Sequence, residues 1–245
     1  MSKRNIVWLS LVGLIIVTSL VLTPWYISEI LRYDQAESAA DYGQQFGAVS
    51  AFFSGLAFLG VAIAILFQRS ELETAKDQFK QQTFENTFFQ LLRLHNDIVE
   101  SMSVFSSGQT WIEGRRCFRE FFNILSGHIL HQPVGRAPEE AIKQGYAQFR
   151  NQYQDQVGHY FRNLYHIMKF IEDGKAVNPR FYAALVKAQL SSHELLLLFY
   201  DCLSDLGRKK FKPLVEQFGL LEHLPRTSLI DPNHENLYSS EAYRG

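Results

Sequence analysis

Two stretches near the N-terminus carry no charge, and this limits what the chain can fold into more than any other feature. Between Arg4 and Glu29 lie 24 uncharged residues with an apolar heart from Ile6 to Leu22. Between Asp41 and Arg69 lie 27 more, with a heart from Phe46 to Phe67. A hydrocarbon core about 30 Å thick takes roughly 20 helical residues, so each stretch is long enough for one span. Later apolar runs are cut by charges within a few turns. The pattern predicts a transmembrane hairpin over residues 1–68, with spans at about 6–27 and 46–67, followed by a larger soluble part. The first stretch exceeds the apolar region of a signal peptide and has no small-residue cleavage site close behind it, so it is expected to be retained.

Orientation follows from the basic residues flanking the spans. Lys3 and Arg4 precede the first span, and Arg69, Lys76 and Lys80 follow the second. The connecting loop holds a single basic residue, Arg32. Both termini are expected on the cytoplasmic side of a bacterial inner membrane. The second span carries Gly47, Ala51 and Gly55 at spacing four, then Gly60 and Ala64 at spacing four. Small residues let helices approach closely in lipid, where packing drives association. Two readings stand for this face: packing against the first span, or self-association into a homo-oligomer.

The soluble part reads as all-α. No Gly or Pro occurs from Val61 to Ser107, and strong helix formers fill residues 69–83, which predicts a solvated helical stalk. A helical cytosolic domain is expected over 84–224. Phe84, Phe88, Leu91, Leu92, Ile98, Val99 and Met102 follow amphipathic helical spacing, as do Phe118, Phe121, Phe122, Leu125 and Ile129. A linker is predicted at Ser106-Ser107-Gly108. A long helical region is expected over 139–172, with Gly145 and Gly158 as the candidate points of interruption. Asn178-Pro179 reads as an N-cap with proline at the first helical position. Ser191 with Glu194 reads as a capping box, opening a helix expected to stop at Gly207. A short helix over 212–218 should end at Gly219, and 225–245 reads as an irregular polar tail. No run alternates well enough to predict a strand.

Charge and cysteine content narrow the function classes. The net charge of -1 gives no overall basic excess, so nucleic acid is not indicated as a partner. The two cysteines, Cys117 and Cys202, lie in helical patterns and suit a reducing compartment. His128 and His131 share a helix face, but no further ligand completes a zinc set, so no metal or cofactor is expected. His95 lies among apolar positions, where a core or boundary histidine is the leading reading. His159, Arg162, His166 and Lys169 fall on one face of a helix. They form either a stripe that grips a phosphate or a partner's acidic surface, or a solvated helix face. Ribonucleases of the four-helix HEPN type use a longer Arg-to-His spacing than the three residues between Arg162 and His166. No phosphate loop or nucleophile constellation is present, and an enzyme is not expected.

Glu85–Met102, Gly158–Gly174, Ala188–Gly207 and Lys210–Pro225, in that order, resemble the phage abortive infection proteins of bacteria. That resemblance implies two N-terminal membrane spans, a helical cytosolic domain and a role in anti-phage defence. It supplies no catalytic residues. The combined expectation is a membrane effector triggered through its cytosolic domain, with the lipid bilayer and a protein partner or sensor as its contacts. The alternatives are a membrane-tethered nuclease-type toxin and a receptor or scaffold that recruits a separate toxin.

Overall fold

The computed structural model describes residues 39–105, 110–133, 135–174 and 178–244, together with Thr18, Leu22 and Trp25. Of the predicted hairpin, only the second span falls within these residues. Apart from Thr18, Leu22 and Trp25, the first span and its flanks lie outside them, as does the Ser106-Ser107-Gly108 linker. The chain divides into two compact units, Met1–Thr74 and Ala75–Gly245.

In the first unit the described chain is helical from Ala39. It belongs to helix α1, Ala39–Ser101, which runs on into the second unit. Among the described residues one helix is long and apolar enough to cross a membrane: Val49–Ser101, whose most apolar window has a mean hydropathy of 2.3 and buries nothing. Phe52, Phe58, Leu59, Val61 and Leu66 are all exposed.

The second unit is a helical bundle built around aromatic side chains. The end of α1 buries Phe88, Leu92, His95 and Val99, at steps of four, three and four, which is one helical stripe. Helix α2, Cys117–Leu130, buries Cys117, Phe118, Phe121, Phe122, Leu125 and Ile129. Helix α3, Pro138–Asp173, packs on α2 and buries eleven residues from Ile142 to Ile171. Helix α4, Pro179–Gln189, starts as its sequence predicts: the Asn178 side chain accepts from Phe181 N, with Pro179 in the first turn. Helix α5, Ser192–Asp201, has the full capping box between Ser191 and Glu194. It buries every residue from Glu194 to Tyr200. A helix apolar all round is a central one, and α5 packs against both α2 and α3. Helices α6, Gly207–Lys210, and α7, Lys212–Phe218, follow, and α7 ends at Gly219 with a left-handed φ of 60°.

The structure corrects four expectations. A small antiparallel pair, β1 (Ser103–Phe105) and β2 (Trp111–Glu113), follows α1, with Val104 opposite Ile112 and the rings of Phe105 and Trp111 5.4 Å apart. Strands of three residues are too short for alternation to register. Helix α3 is not interrupted at its glycines. It kinks at Tyr153, which has φ -121° and ψ 19°. The helix opened by Ser191 ends at Asp201, not at Gly207; a turn follows in which Ser204 Oγ accepts from Gly207 N at 3.2 Å. Gly207 lies so close to the Asp201 carbonyl that a Cβ there would meet it at 2.2 Å. The segment from 225 onward is irregular but not merely polar: it forms three 3-10 turns and buries Leu229, His234, Tyr238 and Ala242. Tyr238 Oη donates to Phe199 O at 2.7 Å, and Leu221 N donates to Ala242 O at 2.9 Å, which pins this segment to α5 and to the turn after α7.

Gly145 serves packing. A Cβ there would meet Ile129 Cγ1 at 2.6 Å and the Ile129 backbone at 2.8 Å, so α2 and α3 touch backbone to backbone at this point. Gly145→Ala is expected to cost about 1–3 kcal/mol by overpacking, read as a lower denaturation midpoint with an unchanged slope. An unshifted midpoint would mean that the two helices separate freely here.

Candidate functional site

The kink at Tyr153 divides α3 into two segments, and both contribute to a cleft. The first segment supplies Tyr146 and Arg150, one helical turn apart. The second supplies Gly158, Arg162 and His166 at spacing four, with Phe161 and Tyr165 beside them. Asp201 at the end of α5, Leu206, Gly207 and Lys210 of α6, and Phe211 close the opposite wall. The cavity is about 380 Å³, within the usual size range of small-molecule sites.

The electrostatics of this cleft are lopsided. Three permanent cations, Arg150, Arg162 and Lys210, line it with His166, against one carboxyl group, Asp201. Among the described residues none of these three cations forms an ion pair or hydrogen bond. Four cations elsewhere in the domain are each matched by a carboxylate: Lys143 with Asp205 at 3.0 Å, Lys187 with Glu222 at 2.7 Å, Arg208 with Glu139 at 2.7 Å and Arg226 with Glu235 at 2.6 Å. The Tyr146 hydroxyl donates to Asp201 Oδ1. Burial raises the Asp201 carboxyl to about 6, against the opposing pull of that hydrogen bond and of nearby Arg150. Burial, with the neighbouring Asp201 charge, pushes the Tyr146 hydroxyl well up. The arrangement can bind an anion, and it holds a carboxyl group able to take or give a proton close to neutral pH.

The predicted stripe is thus split. Arg162 and His166 line the cleft. Lys169 is tied to Glu172 at 2.6 Å and Asp173 at 3.1 Å, which raises its pKa, and it lies outside the cleft. His159 is exposed, one residue round the helix from Gly158, and is not among the lining groups. Arg150, Asp201 and Lys210 come from other segments, and no spacing along the chain connects them with Arg162. In the sequence Lys210 stands in a basic cluster with Arg208, Lys209 and Lys212. The structure disperses that cluster: Arg208 goes to Glu139, while Lys212 donates to Leu237 O at 2.8 Å and sits over the Tyr238 ring.

His95 belongs to a separate, interior cluster. It is 1% exposed and its ring lies 4.7 Å from that of Tyr160, which in turn packs on Phe118. Neither ring nitrogen meets a hydrogen-bond partner. Burial, with a contribution from the Arg115 charge, lowers its pKa to about 4, so the ring is neutral at pH 7. At the hydroxyl end of Tyr160 the fully buried Glu194 carboxylate accepts from Tyr160 Oη at 3.1 Å, from Ser191 N at 2.8 Å and from the Arg115 guanidinium at 3.1 Å. This cluster joins α1, α3 and the start of α5.

The small residues of the second span lie on α1. Gly47, Ala51, Gly55, Gly60 and Ala64 are exposed, and a Cβ added at Gly47, Gly55 or Gly60 would meet nothing within 4 Å. Among the described residues no group of three or more His, Cys, Asp or Glu is placed to hold a metal ion.

Fold and cleft together define a mostly helical protein whose bundle carries a cationic concave site and whose chain also holds a long apolar helix. Residues 152–229 match the family described as "Putative phage abortive infection protein". The match takes in the second segment of α3 and everything through Leu229, including Arg162, His166, Asp201 and Lys210. It contains three of the four segments on which the resemblance rests; Glu85–Met102 lies outside it. No curated protein and no solved structure matches the chain.

Proposed function

We propose that this protein is a membrane-anchored effector of anti-phage defence that acts by abortive infection. The observation that carries the reading is the presence, in one chain, of a segment matching an abortive infection family and an apolar, uncovered helix of membrane-spanning length. Side chains such as Phe52, Phe58 and Leu66 on that helix are disfavoured in water and at home in hydrocarbon. In this scheme the protein sits in the bacterial inner membrane with both termini cytoplasmic. The bundle receives a signal of infection, or is released by a partner. Rearranged spans then associate through the Gly47–Ala64 face and make the membrane leaky. A trigger can drive this only by binding the active and resting states with different affinity.

The test is membrane potential after induction in infected cells. Depolarisation before lysis is expected, and an intact potential while cells die would exclude the leak. Gly55→Leu or Gly60→Leu should abolish close helix approach and cut toxicity severalfold while the protein still inserts. Full toxicity with both bulky variants would rule out association through this face.

One observation favours a second reading. Asp201 and His166 line a single cleft with three cations, which are the parts needed for acid–base chemistry beside a phosphate. A membrane-tethered nuclease would degrade RNA with the potential intact, and His166→Ala would remove nearly all of that activity.

A further inference from the structure

We propose that the cleft between the second segment of α3 and the turn around Gly207 is the receptor site for a small phosphorylated ligand of the nucleotide type. The inference rests on the effector reading, since it supplies the signal that reading requires.

Three features lead to it. The first is charge left unmatched. Arg150, Arg162 and Lys210 come together on one cavity and form no ion pair or hydrogen bond among the described residues, whereas Lys143, Lys187, Arg208 and Arg226 each meet a carboxylate. Arg150 lies within electrostatic range of Asp201 and is partly balanced by it. Arg162, Lys210 and the His166 imidazole remain for an anion. Guanidinium and ammonium groups together with an imidazole favour phosphate oxygens. The second feature is the wall. Phe161, Tyr165 and Phe211 lie beside the cations, with the rings of Tyr165 and Phe211 5.7 Å apart and edge-on. An aromatic wall beside a cationic end suits a ligand with a planar base and a phosphate, since a base stacks on aromatic side chains. Asp201 adds a carboxylate acceptor for an amino group of such a base.

The third feature is space. Gly158 lines the cavity, and a Cβ there would meet only Gln154 Cγ at 3.8 Å, an ordinary contact. Nothing in local packing demands a glycine at this position, whereas a larger side chain would project into the cleft. A cavity of about 380 Å³ holds one nucleotide unit, not a folded polynucleotide.

The experiment uses the full-length protein in lipid nanodiscs, titrated with AMP, ATP, inorganic phosphate and a short single-stranded RNA. Saturable binding of AMP or ATP, weaker binding of inorganic phosphate and weakening by salt are expected. Arg162→Glu and Lys210→Glu should each weaken nucleotide binding by at least about tenfold, the loss of a hydrogen bond to a charged group. Gly158→Leu should do the same with an unchanged melting temperature. Lys209→Glu, an exposed neighbour outside the cleft, should bind as the parent does. No saturation by either nucleotide at millimolar concentration, equal binding by the Arg162→Glu protein, or RNA bound far more tightly than either nucleotide would each overturn the proposal. The effector reading fails separately. Nucleotide binding without depolarisation refutes the leak and leaves the cleft assignment, and depolarisation without nucleotide binding does the reverse.

Discussion

Glu194→Ala is expected to destabilise the helical bundle by about 3 kcal/mol, or roughly 6–12 °C in melting temperature for a domain of this size. Three contacts disappear together. The Tyr160 hydroxyl, buried between α1 and α2, loses its acceptor, and a buried hydroxyl without a partner costs about 1–3 kcal/mol. The capping box at the start of α5 loses its return bond to Ser191 N, and caps of this kind contribute about 1 kcal/mol. The ion pair with Arg115 is lost as well, but this guanidinium is 42% exposed and rehydrates, so its share is small. Glu194→Gln keeps one acceptor oxygen and should fall between wild type and the alanine variant. Denaturant unfolding of all three proteins checks the order. If the alanine variant unfolds at the wild-type midpoint, this cluster does not hold α5 in place.

Acid should destabilise the bundle through His95, by about 3 kcal/mol over the full titration. The sign follows from the depressed value. The folded protein holds His95 at about 4, because burial, and secondarily Arg115, disfavour the imidazolium, while the unfolded chain titrates at 6.5. Between these values the unfolded state binds the extra proton. The stability contributed by His95 is therefore whole above pH 6.5 and is lost as pH falls towards 4. His193 and His234, also lowered by burial, act in the same direction. Asp201 acts against them: its folded value is raised to about 6, so its protonation as pH falls favours the folded state. His95→Leu isolates the effect. The wild type should lose about 2 kcal/mol more than this variant between pH 7 and pH 4.5. At pH 7 the variant should be at least as stable, because it removes two buried ring nitrogens that have no partner. Parallel pH profiles for the two proteins would show that His95 is hydrated in the folded state.

Much of this protein is written locally and can be read from its residues. The charge-free run from Phe46 to Phe67 marks a helix of membrane-spanning length because hydropathy and length are properties of the segment alone. The helical stripes of α1, α2 and α3 are legible because burial on one face imposes a repeat of three and four. Asn178, the Ser191–Glu194 box and Gly219 identify helix ends because capping bonds reach only two to four residues along the chain.

What the tertiary structure alone decided lies where the partners are far apart in sequence. The kink at Tyr153 falls at a residue with no breaker chemistry, between two segments that each bury side chains in the core. His95 reads as an isolated histidine until the fold sets it against Tyr160, which bonds Glu194, and within the field of Arg115. The stripe of His159, Arg162, His166 and Lys169 looks uniform by spacing. Only folding sends Lys169 to Glu172 and Asp173 and leaves Arg162 and His166 facing Asp201 and Lys210. The cleft exists because α5 stops at Asp201 and the chain turns back tightly at Gly207. Its charges come from three separate helices, and the distance between such groups is fixed by packing, which helical periodicity does not encode.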